Sequence, residues 1–228
     1  TNVLEMCEIM VDDKKYICLL TNDGLQLVDP IGNTFWDNNA VYPDLHDALA
    51  FAFVPPDNLA VFPSPKYVNI LQCSTLPFQI KYCIFVQCHH SLSFWNLCVD
   101  PFSQKLFIGC HRIVKCFDMN QRQGLWTLGL NKYSDKIKYD NIYNNKDLCI
   151  SEDGKLLFLL LKTEQSLENC NLRLVVLKPD DRKVIKSLIS FPHSSNMEES
   201  NIRMQYVPCK TMDQSTSIRG ALSLRMLS

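Results

Sequence analysis

Strand-length runs of apolar residues, bounded by Asp, Asn, Gly or Pro, follow one another along most of the chain. Runs of this length that are rich in Val, Ile, Leu, Phe and Tyr indicate β-strands, and the spacing of a helix is hard to find. Asn22-Asp23-Gly24 separates two such runs, at 15–20 and 25–28, and predicts a tight hairpin because its glycine readily takes positive φ. The pattern therefore predicts an all-β protein.

The runs group into four units that begin roughly 45 residues apart, which is the spacing of propeller blades. Each unit is predicted to be a four-stranded antiparallel meander. The predicted strands are 4–11, 15–20, 25–28 and 33–36; 48–54, 59–62, 67–73 and 78–86; 92–99, 105–109, 113–118 and 124–130; 147–150, 156–162, 172–177 and 183–189, with a polar loop over 163–169. The recurrence favours a WD40-like β-propeller, and a β-sandwich is the rival fold.

The pattern divides the chain at about residue 192. Residues 1–192 are predicted to form about four recognisable blades, and residues 193–228 a polar segment and tail with one further strand over 202–207. Closed propellers usually have about four to eight blades, and most interaction propellers sit near the upper end of that range. Four units and a remnant therefore predict an incomplete or open ring, or one that a partner completes.

The net charge of the chain is close to zero and adds little to the fold prediction. The 228 residues carry 23 Lys+Arg against 24 Asp+Glu, a formal net charge of −1. Affinity for nucleic acid that rests on phosphate contacts needs a basic excess, so direct nucleic-acid binding is not favoured. The stretch 132–146 mixes lysines with tyrosines, but neighbouring aspartates offset it and a solvated loop is predicted. No apolar run has the length of a membrane span, so no membrane partner is expected.

The eleven cysteines are an odd number, and several lie inside apolar runs, among them Cys7, Cys18 and Cys149. Unpaired cysteine behaves as a small buried hydrophobe. This usage indicates a reducing compartment, nuclear or cytoplasmic, with the nucleus favoured.

A Cys/His-rich segment at 83–111 is the one candidate for metal chemistry. Cys83, Cys88, His89 and His90 are the candidate zinc ligands, since tetrahedral zinc takes cysteine and histidine pairs at short spacing. Four residues separate Cys83 from Cys88, the outer limit of that spacing, and buried strand cysteines are the competing interpretation. A metal-binding or enzymatic domain that uses this segment therefore stays open as an alternative.

Other catalytic signals are missing from the sequence. It contains neither a glycine-rich phosphate loop nor a G-x-S-x-G nucleophile elbow. The acidic pairs Asp12-Asp13, Asp180-Asp181 and Glu198-Glu199 have the setting of turns or solvated surface. No catalytic residue and no cofactor is assigned, and the chain is predicted not to be an enzyme.

The strand rhythm resembles the WD-repeat superfamily in a degenerate form, in which Trp36-Asp37 is the one Trp-Asp dipeptide. The order of 15–20, then 50–57 (Ala-Phe-Ala-Phe-Val-Pro-Pro-Asp), 113–124 and 154–187 is similar to a more specific family. That family is the C-terminal propeller of the partner-and-localiser protein of the breast-cancer susceptibility factors. The ending after His193 departs from the family.

The resemblance implies a nuclear scaffold in homologous-recombination DNA repair, with recombination mediators among its protein partners. The function predicted from the residues is the broader one, a non-enzymatic protein–protein interaction scaffold, because propellers present loops and rims as rigid platforms. A scaffold subunit of another complex, in trafficking, ribosome assembly or the kinetochore, is the alternative within this class.

Overall fold

The computed structural model describes residues 3–21, 24–37, 50–56, 58–64, 67–86, 95–100, 102–110, 113–130, 141–166, 169–194, 201–208 and 220–227. In these ranges the chain forms eighteen β-strands and no α-helix, which confirms the prediction of an all-β protein. The described ranges accordingly hold no apolar helix of membrane-spanning length.

The first sixteen strands form four units. Unit 1 contains β1 (Val3–Val11), β2 (Lys14–Thr21), β3 (Gly24–Val28) and β4 (Thr34–Asp37). Unit 2 contains β5 (Ala50–Val54), β6 (Asn58–Ser64), β7 (Tyr67–Gln72) and β8 (Gln79–Phe85). Unit 3 contains β9 (Trp95–Asp100), β10 (Lys105–Cys110), β11 (Ile113–Asp118) and β12 (Gln123–Gly129). Unit 4 contains β13 (Asn141–Ile150), β14 (Leu157–Ser166), β15 (Asn169–Lys178) and β16 (Lys183–Ser194).

Each unit is one antiparallel sheet in which consecutive strands are neighbours, and we number these sheets 1 to 4 with their units. This is the four-stranded meander that the sequence predicts. Two further strands, β17 (Asn201–Pro208) and β18 (Gly220–Leu227), form a hairpin. The predicted strand over 202–207 is therefore present, and β18 is an additional strand.

The prediction of a polar loop over 163–169 is wrong. β14 continues to Ser166 and β15 begins at Asn169, with Thr163 opposite Asn171 and Glu164 opposite Cys170. The first residues of β13, at 141–146, also belong to the sheet rather than to a loop. Backbone ladders need no apolar side chains, so polar residues can extend these strands without an apolar pattern in the sequence.

The first strands of the units contact one another in chain order. β1 packs beside β5, β5 beside β9, β9 beside β13, and β13 beside β17 of the hairpin. The sheets consequently lie face to face, each against the next. Three hydrophobic clusters fill the spaces between sheets 1 and 2, sheets 2 and 3, and sheets 3 and 4.

The inner sheets bury both faces. Along β14, Leu157, Leu159 and Leu161 face sheet 3, whereas Phe158 and Leu160 lie in a separate cluster on the opposite face. Because successive side chains of a strand point to opposite faces, a strand buried on both sides is apolar at every position. Burial on both faces explains why the run Leu156 to Leu161 is apolar without interruption.

Sheet 1 buries one face against sheet 2 and presents the other outward. Ile9 and Val11 are 2% and 1% exposed, whereas Met6 and Met10, on the outward face of the same strand, are 71% and 46% exposed. Glu8 and Lys15 form an ion pair of 2.8 Å on that outward face. Sheet 1 therefore ends the row of stacked sheets in the described part of the chain.

Candidate functional site

The predicted zinc candidates are not tested as a group, because only Cys83 lies within the described residues. Cys83 is exposed on β8, and its Sγ donates a hydrogen bond to Asn69 Oδ1 at 3.0 Å. Cys88, His89 and His90 lie outside the described residues. The described ranges bring together no group of three or more His, Cys, Asp or Glu side chains that a metal ion needs.

The described inner thiols have core environments. Cys18 lies directly opposite Cys7, and a hydrogen bond between the two thiols together with burial holds the pKa of Cys18 well above its usual range. Burial likewise raises the pKa of Cys98, and it raises the pKa of Cys116 to about 12. Nucleophilic cysteines need a lowered pKa, so these thiols have the opposite electrostatic setting.

Hydrogen bonds at the turns connect neighbouring units. The turns between first and second strands and those between third and fourth strands lie at the same end of every meander, and we call this end the turn end. There the Asp12 N–H donates to the Ser74 carbonyl at 2.9 Å, joining units 1 and 2. Tyr82 Oη donates to the Met119 carbonyl at 3.1 Å, joining units 2 and 3.

At the turn end, residues of unit 3 also contact the turns of unit 4. Lys105 Nζ lies 2.7 Å from Asp180 Oδ1, and this ion pair raises the pKa of Lys105. The buried Asp100 carboxylate accepts hydrogen bonds from the Phe102 N–H and the Ser103 hydroxyl. A Cβ added to Gly154 would lie 2.5 Å from Asp100 Oδ2, so the backbone of one turn touches the carboxylate of the other. These contacts hold the sheets in a fixed relation.

A cleft of about 300 Å³ lies between sheets 2 and 3, and we call it the β8–β12 cleft. Phe85 and Val86, at the end of β8, form one wall. The opposite wall comes from β11 and β12 and consists of Lys115, Phe117, Gly124, Leu125, Trp126 and Thr127. The volume is near the lower limit of small-ligand pockets, which begin at about 300 Å³.

Small residues on β12 create this cleft. Thr127 pairs with Lys115 and Gly124 pairs with Phe117, which belongs to the cluster between sheets 2 and 3. The two small residues therefore lie on the face of sheet 3 that sheet 2 approaches, and they leave the space between the two sheets unfilled. A Cβ at Gly124 would meet Phe117 Cε1 at 3.6 Å, an ordinary van der Waals contact, so the position accepts a side chain.

Two aromatic residues, Trp126 and Phe85, are among those that line the cleft, but their rings point away from it. A register shift between Cys116 and Phe117 turns Trp126 to the other face of sheet 3, where its ring lies 6.0 Å from the Phe107 ring. Its partly buried side chain packs against the cluster between sheets 3 and 4. Ile84 and Val86 belong to the cluster between sheets 2 and 3, so the 67% exposed side chain of Phe85 points to the opposite face of sheet 2.

The cleft carries a positive charge. Lys115 Nζ donates a hydrogen bond to the Val86 carbonyl across the cleft, which fixes the ammonium group between the two sheets. Among the described residues that line the cleft there is no carboxylate. Arg122, just before β12, is not one of the residues that line the cleft, and its guanidinium lies 4.4 Å from the centre of the Tyr82 ring.

Neither a protein-family model nor a curated protein matches this chain. Its own residues therefore carry the functional argument, and they direct it to the β8–β12 cleft. Sequence reasoning did not find this cleft. The available signal was Gly124 and Thr127 in an outer strand whose remaining residues are mostly large, but the depth of the space depends on the distance between two sheets.

The remaining predicted surface features divide between described and undescribed residues. Asp12 and Asp13 form a turn with positive φ, and Asp180 and Asp181 lie in the turn after β15, both as predicted. The pair Glu198-Glu199 and residues 131–140 of the lysine- and tyrosine-containing stretch lie outside the described residues.

Proposed function

We propose that this chain is a non-enzymatic protein–protein interaction scaffold built on a WD40-like β-propeller, in which sheets 1 to 4 are successive blades. Support for the propeller comes from the contacts of β1, β5, β9 and β13 in chain order. In a propeller the first strand of every blade lies nearest the axis, and the sheets pack face to face around it. A β-sandwich would instead pair two larger sheets across one core.

The proposed ring is incomplete or open within these residues. Sheets 2 and 3 each lie between two neighbours, whereas the outward face of sheet 1 exposes Met6 and Met10. A further blade, supplied by additional sequence or by a partner, would complete the ring on that side.

The observation that carries the binding function is the β8–β12 cleft. Rigid scaffolds commonly bind through concave apolar sites whose few polar groups set the orientation of the ligand. The cleft combines apolar residues with the Lys115 ammonium group, and the hydrogen bond from Tyr82 to the Met119 carbonyl joins its two sheets at the turn end. Binding of a protein segment needs no more chemistry than this.

The concrete version of the proposal is a nuclear scaffold in homologous-recombination repair with recombination mediators as partners. It rests on the resemblance of 50–57 and the other quoted segments to the partner-and-localiser family. A scaffold subunit of a trafficking, ribosome-assembly or kinetochore complex is the alternative. A location in the nucleus or cytoplasm fits the described cysteines, which form no disulfide with one another: Cys7, Cys18, Cys73, Cys83, Cys98, Cys116 and Cys149.

Affinity capture with mass spectrometry tests the proposal, using the full chain in nuclear and cytosolic extracts of its source. Gly124→Trp fills the cleft from a position on β12 where a Cβ makes an ordinary van der Waals contact, 3.6 Å from Phe117 Cε1. Gly129→Trp is the matched control, because Gly129 lies on the same strand, has no atom within 4 Å of an added Cβ and is not among the residues that line the cleft. We expect a stable partner that the wild type and Gly129→Trp retain and that Gly124→Trp loses.

Three outcomes distinguish the versions of this proposal. Recovery of recombinase mediators supports the repair scaffold. Recovery of an unrelated stable complex keeps the scaffold function and contradicts the repair assignment. An empty capture from folded protein contradicts the scaffold function itself.

A further inference from the structure

We propose that Cys7 and Cys18 form a reversible disulfide between β1 and β2, through thiol–disulfide exchange with a small disulfide such as oxidised glutathione. Both thiols are free in the described structure. β1 is an edge strand of sheet 1 and pairs with β2 alone in that sheet, so the bond fastens an edge of the sheet. The site lies apart from the β8–β12 cleft and does not depend on the proposed binding function.

The register of the first hairpin brings the two cysteines together. Cys7 and Cys18 lie directly opposite each other in the ladder between β1 and β2, which is regular from Glu5 to Val11. Both side chains pack in the cluster between sheets 1 and 2, so they point to the same face, and their thiols form a hydrogen bond. Directly opposite residues of an antiparallel pair have Cα atoms about 4.5–5.5 Å apart, and disulfides span about 4.4–6.8 Å. The bond therefore needs little movement of the backbone.

Cys98 and Cys116 in sheet 3 provide a contrast within the same chain. Both lie directly opposite Phe107, one on each side of β10, so a whole strand separates them. Neighbouring strands are about 4.7–4.9 Å apart, which places the two Cα atoms about 9–10 Å apart. Cysteines more than about 7 Å apart at Cα cannot be bridged without backbone movement. The register therefore permits the pair in sheet 1 and excludes the pair in sheet 3.

The two thiols differ in their access to an oxidant. Cys7 is partly exposed, whereas Cys18 is fully buried. The hydrogen bond to Cys7 and burial hold the pKa of Cys18 well above its usual range, so the Cys18 thiol stays protonated at neutral pH. Because the thiolate is the reactive form and must reach the oxidant, Cys7 reacts first and Cys18, directly beside it, closes the bond.

The exchange takes place in two steps, with oxidised glutathione as the oxidant. The Cys7 thiolate attacks one sulfur of the glutathione disulfide, which breaks that S–S bond, forms a mixed disulfide and releases one glutathione thiolate. The Cys18 thiol then gives up its proton, and its sulfur attacks the Cys7 sulfur. This step forms the Cys7–Cys18 bond and releases the second glutathione thiolate. In total the two protein thiols lose two electrons and two protons, and two molecules of reduced glutathione gain them.

Peptide mapping of the folded full chain tests the proposal. The chain is incubated with oxidised glutathione, remaining thiols are alkylated, and tryptic peptides are identified by mass spectrometry without reduction. Trypsin cleaves after Lys14 and Lys15, between the two cysteines, so the bond joins two peptides that otherwise separate. We expect a Cys7–Cys18 link and no link between the two cysteines of sheet 3, and dithiothreitol should restore both thiols.

Variants of the two cysteines test the order of the steps. Cys18→Ala should stop the reaction at the mixed disulfide, with one glutathione on Cys7. Cys7→Ser should leave the buried Cys18 unmodified, and its partly exposed position keeps the test valid if Cys18→Ala does not fold. Cys83→Ser is the matched control at an exposed cysteine of β8, and it should leave the Cys7–Cys18 link unchanged.

Three results would overturn the inference. The first is a folded chain in which both thiols stay reduced at every ratio of oxidised to reduced glutathione. The second is a link from Cys18 to Cys73, which lies in the same cluster on the side of sheet 2. The third is the same mixture of links in folded protein and in protein unfolded by urea, because pairing would then not depend on the register of β1 and β2.

Discussion

Sheets 1 and 3 share one strand order but have different surroundings. Sheet 3 lies between sheets 2 and 4, so both of its faces are covered. Leu106 and Ile108 point to one neighbour and Phe107 to the other, and all three are fully buried. Sheet 1 has one described neighbour, and along β1 the inward Ile9 alternates with the outward Glu8 and Met10.

The comparison shows how the number of neighbouring sheets determines the pattern of apolar residues along a strand. A strand covered on both faces is apolar at successive positions, whereas a strand covered on one face alternates. The four units therefore repeat in topology but not in composition. The alternation in β1 marks sheet 1 as an end of the described row of sheets, and the three consecutive apolar residues of β10 mark an inner sheet.

The largest expected difference in stability is between a substitution in an inner strand and one on the outward face of sheet 1. Leu106→Ala should lower the free energy of unfolding by about 2–5 kcal/mol, because it leaves a cavity between sheets 2 and 3. Met10→Ala should cost less than about 1 kcal/mol, since its side chain is 46% exposed. Urea denaturation followed by circular dichroism measures both. Equal costs for the two variants would contradict the described stacking.

The turn contact between units 3 and 4 should give the next largest effect. Gly154→Ala places a Cβ 2.5 Å from the buried Asp100 carboxylate at a residue with a φ of +71°. We expect a loss of about 2–4 kcal/mol, from the left-handed backbone and from displacement of the hydrogen-bonded carboxylate.

Gly32→Ala is the matched control within unit 1. Its φ is +93°, and a Cβ there would meet no atom within 4 Å. It should show the backbone cost alone, about 1 kcal/mol. If the two variants lose the same stability in urea denaturation, then the Asp100–Gly154 contact does not join the units in solution.

The smallest effect concerns Cys116 in the core between sheets 3 and 4. Its pKa of about 12 in the folded state exceeds the ordinary thiol value of 9.0. When the pKa of a thiol is higher in the folded state than in the unfolded state, the protonated thiol stabilises the fold relative to the ionised one. This stabilisation is fully present below pH 9 and is lost as the pH rises toward 12. Stability should therefore fall above pH 9, and Cys116→Ala should reduce that slope.

Met10→Ala provides the comparison for this pH effect. It should leave the alkaline slope of stability unchanged, because Met10 carries no ionisable group and is 46% exposed on β1. Denaturant midpoints measured between pH 7 and pH 10 for the two variants and the wild type decide the matter. An identical slope in all three would contradict the buried setting of Cys116.

Much of the fold was predictable from local pattern. The strands of units 1 to 3 follow from apolar runs and from turns such as Asp29-Pro30-Ile31-Gly32, where the Asp29 carboxylate accepts hydrogen bonds from the Ile31 and Asn33 N–H groups. The end of β14 and the start of β15 were not predictable in this way, because their polar residues carry no apolar signal although they pair in the backbone ladder. For β18, alternating Leu222, Leu224 and Met226 were a usable signal that sequence reasoning passed over.

The candidate site was much less predictable than the strands. The sequence directed attention to Cys83 and the residues after it, since cysteine and histidine have recognisable chemistry. The β8–β12 cleft depends on how closely two separate sheets approach and on small residues at Gly124 and Thr127. The type of a residue indicates what chemistry its side chain can perform, whereas a cleft between two sheets is visible only in the three-dimensional packing.

Methyl–methyl nuclear Overhauser effects on protein labelled at Ala, Ile, Leu and Val methyl groups test the central claim most directly. Ala50 on β5 and Leu97 on β9 belong to one buried cluster, as do Ile70 and Ile108 of sheets 2 and 3. The stacked arrangement predicts cross-peaks that connect the methyl groups of sheet 2 with those of sheet 3. Cross-peaks confined within each sheet would contradict the face-to-face stack, and with it the propeller and the cleft.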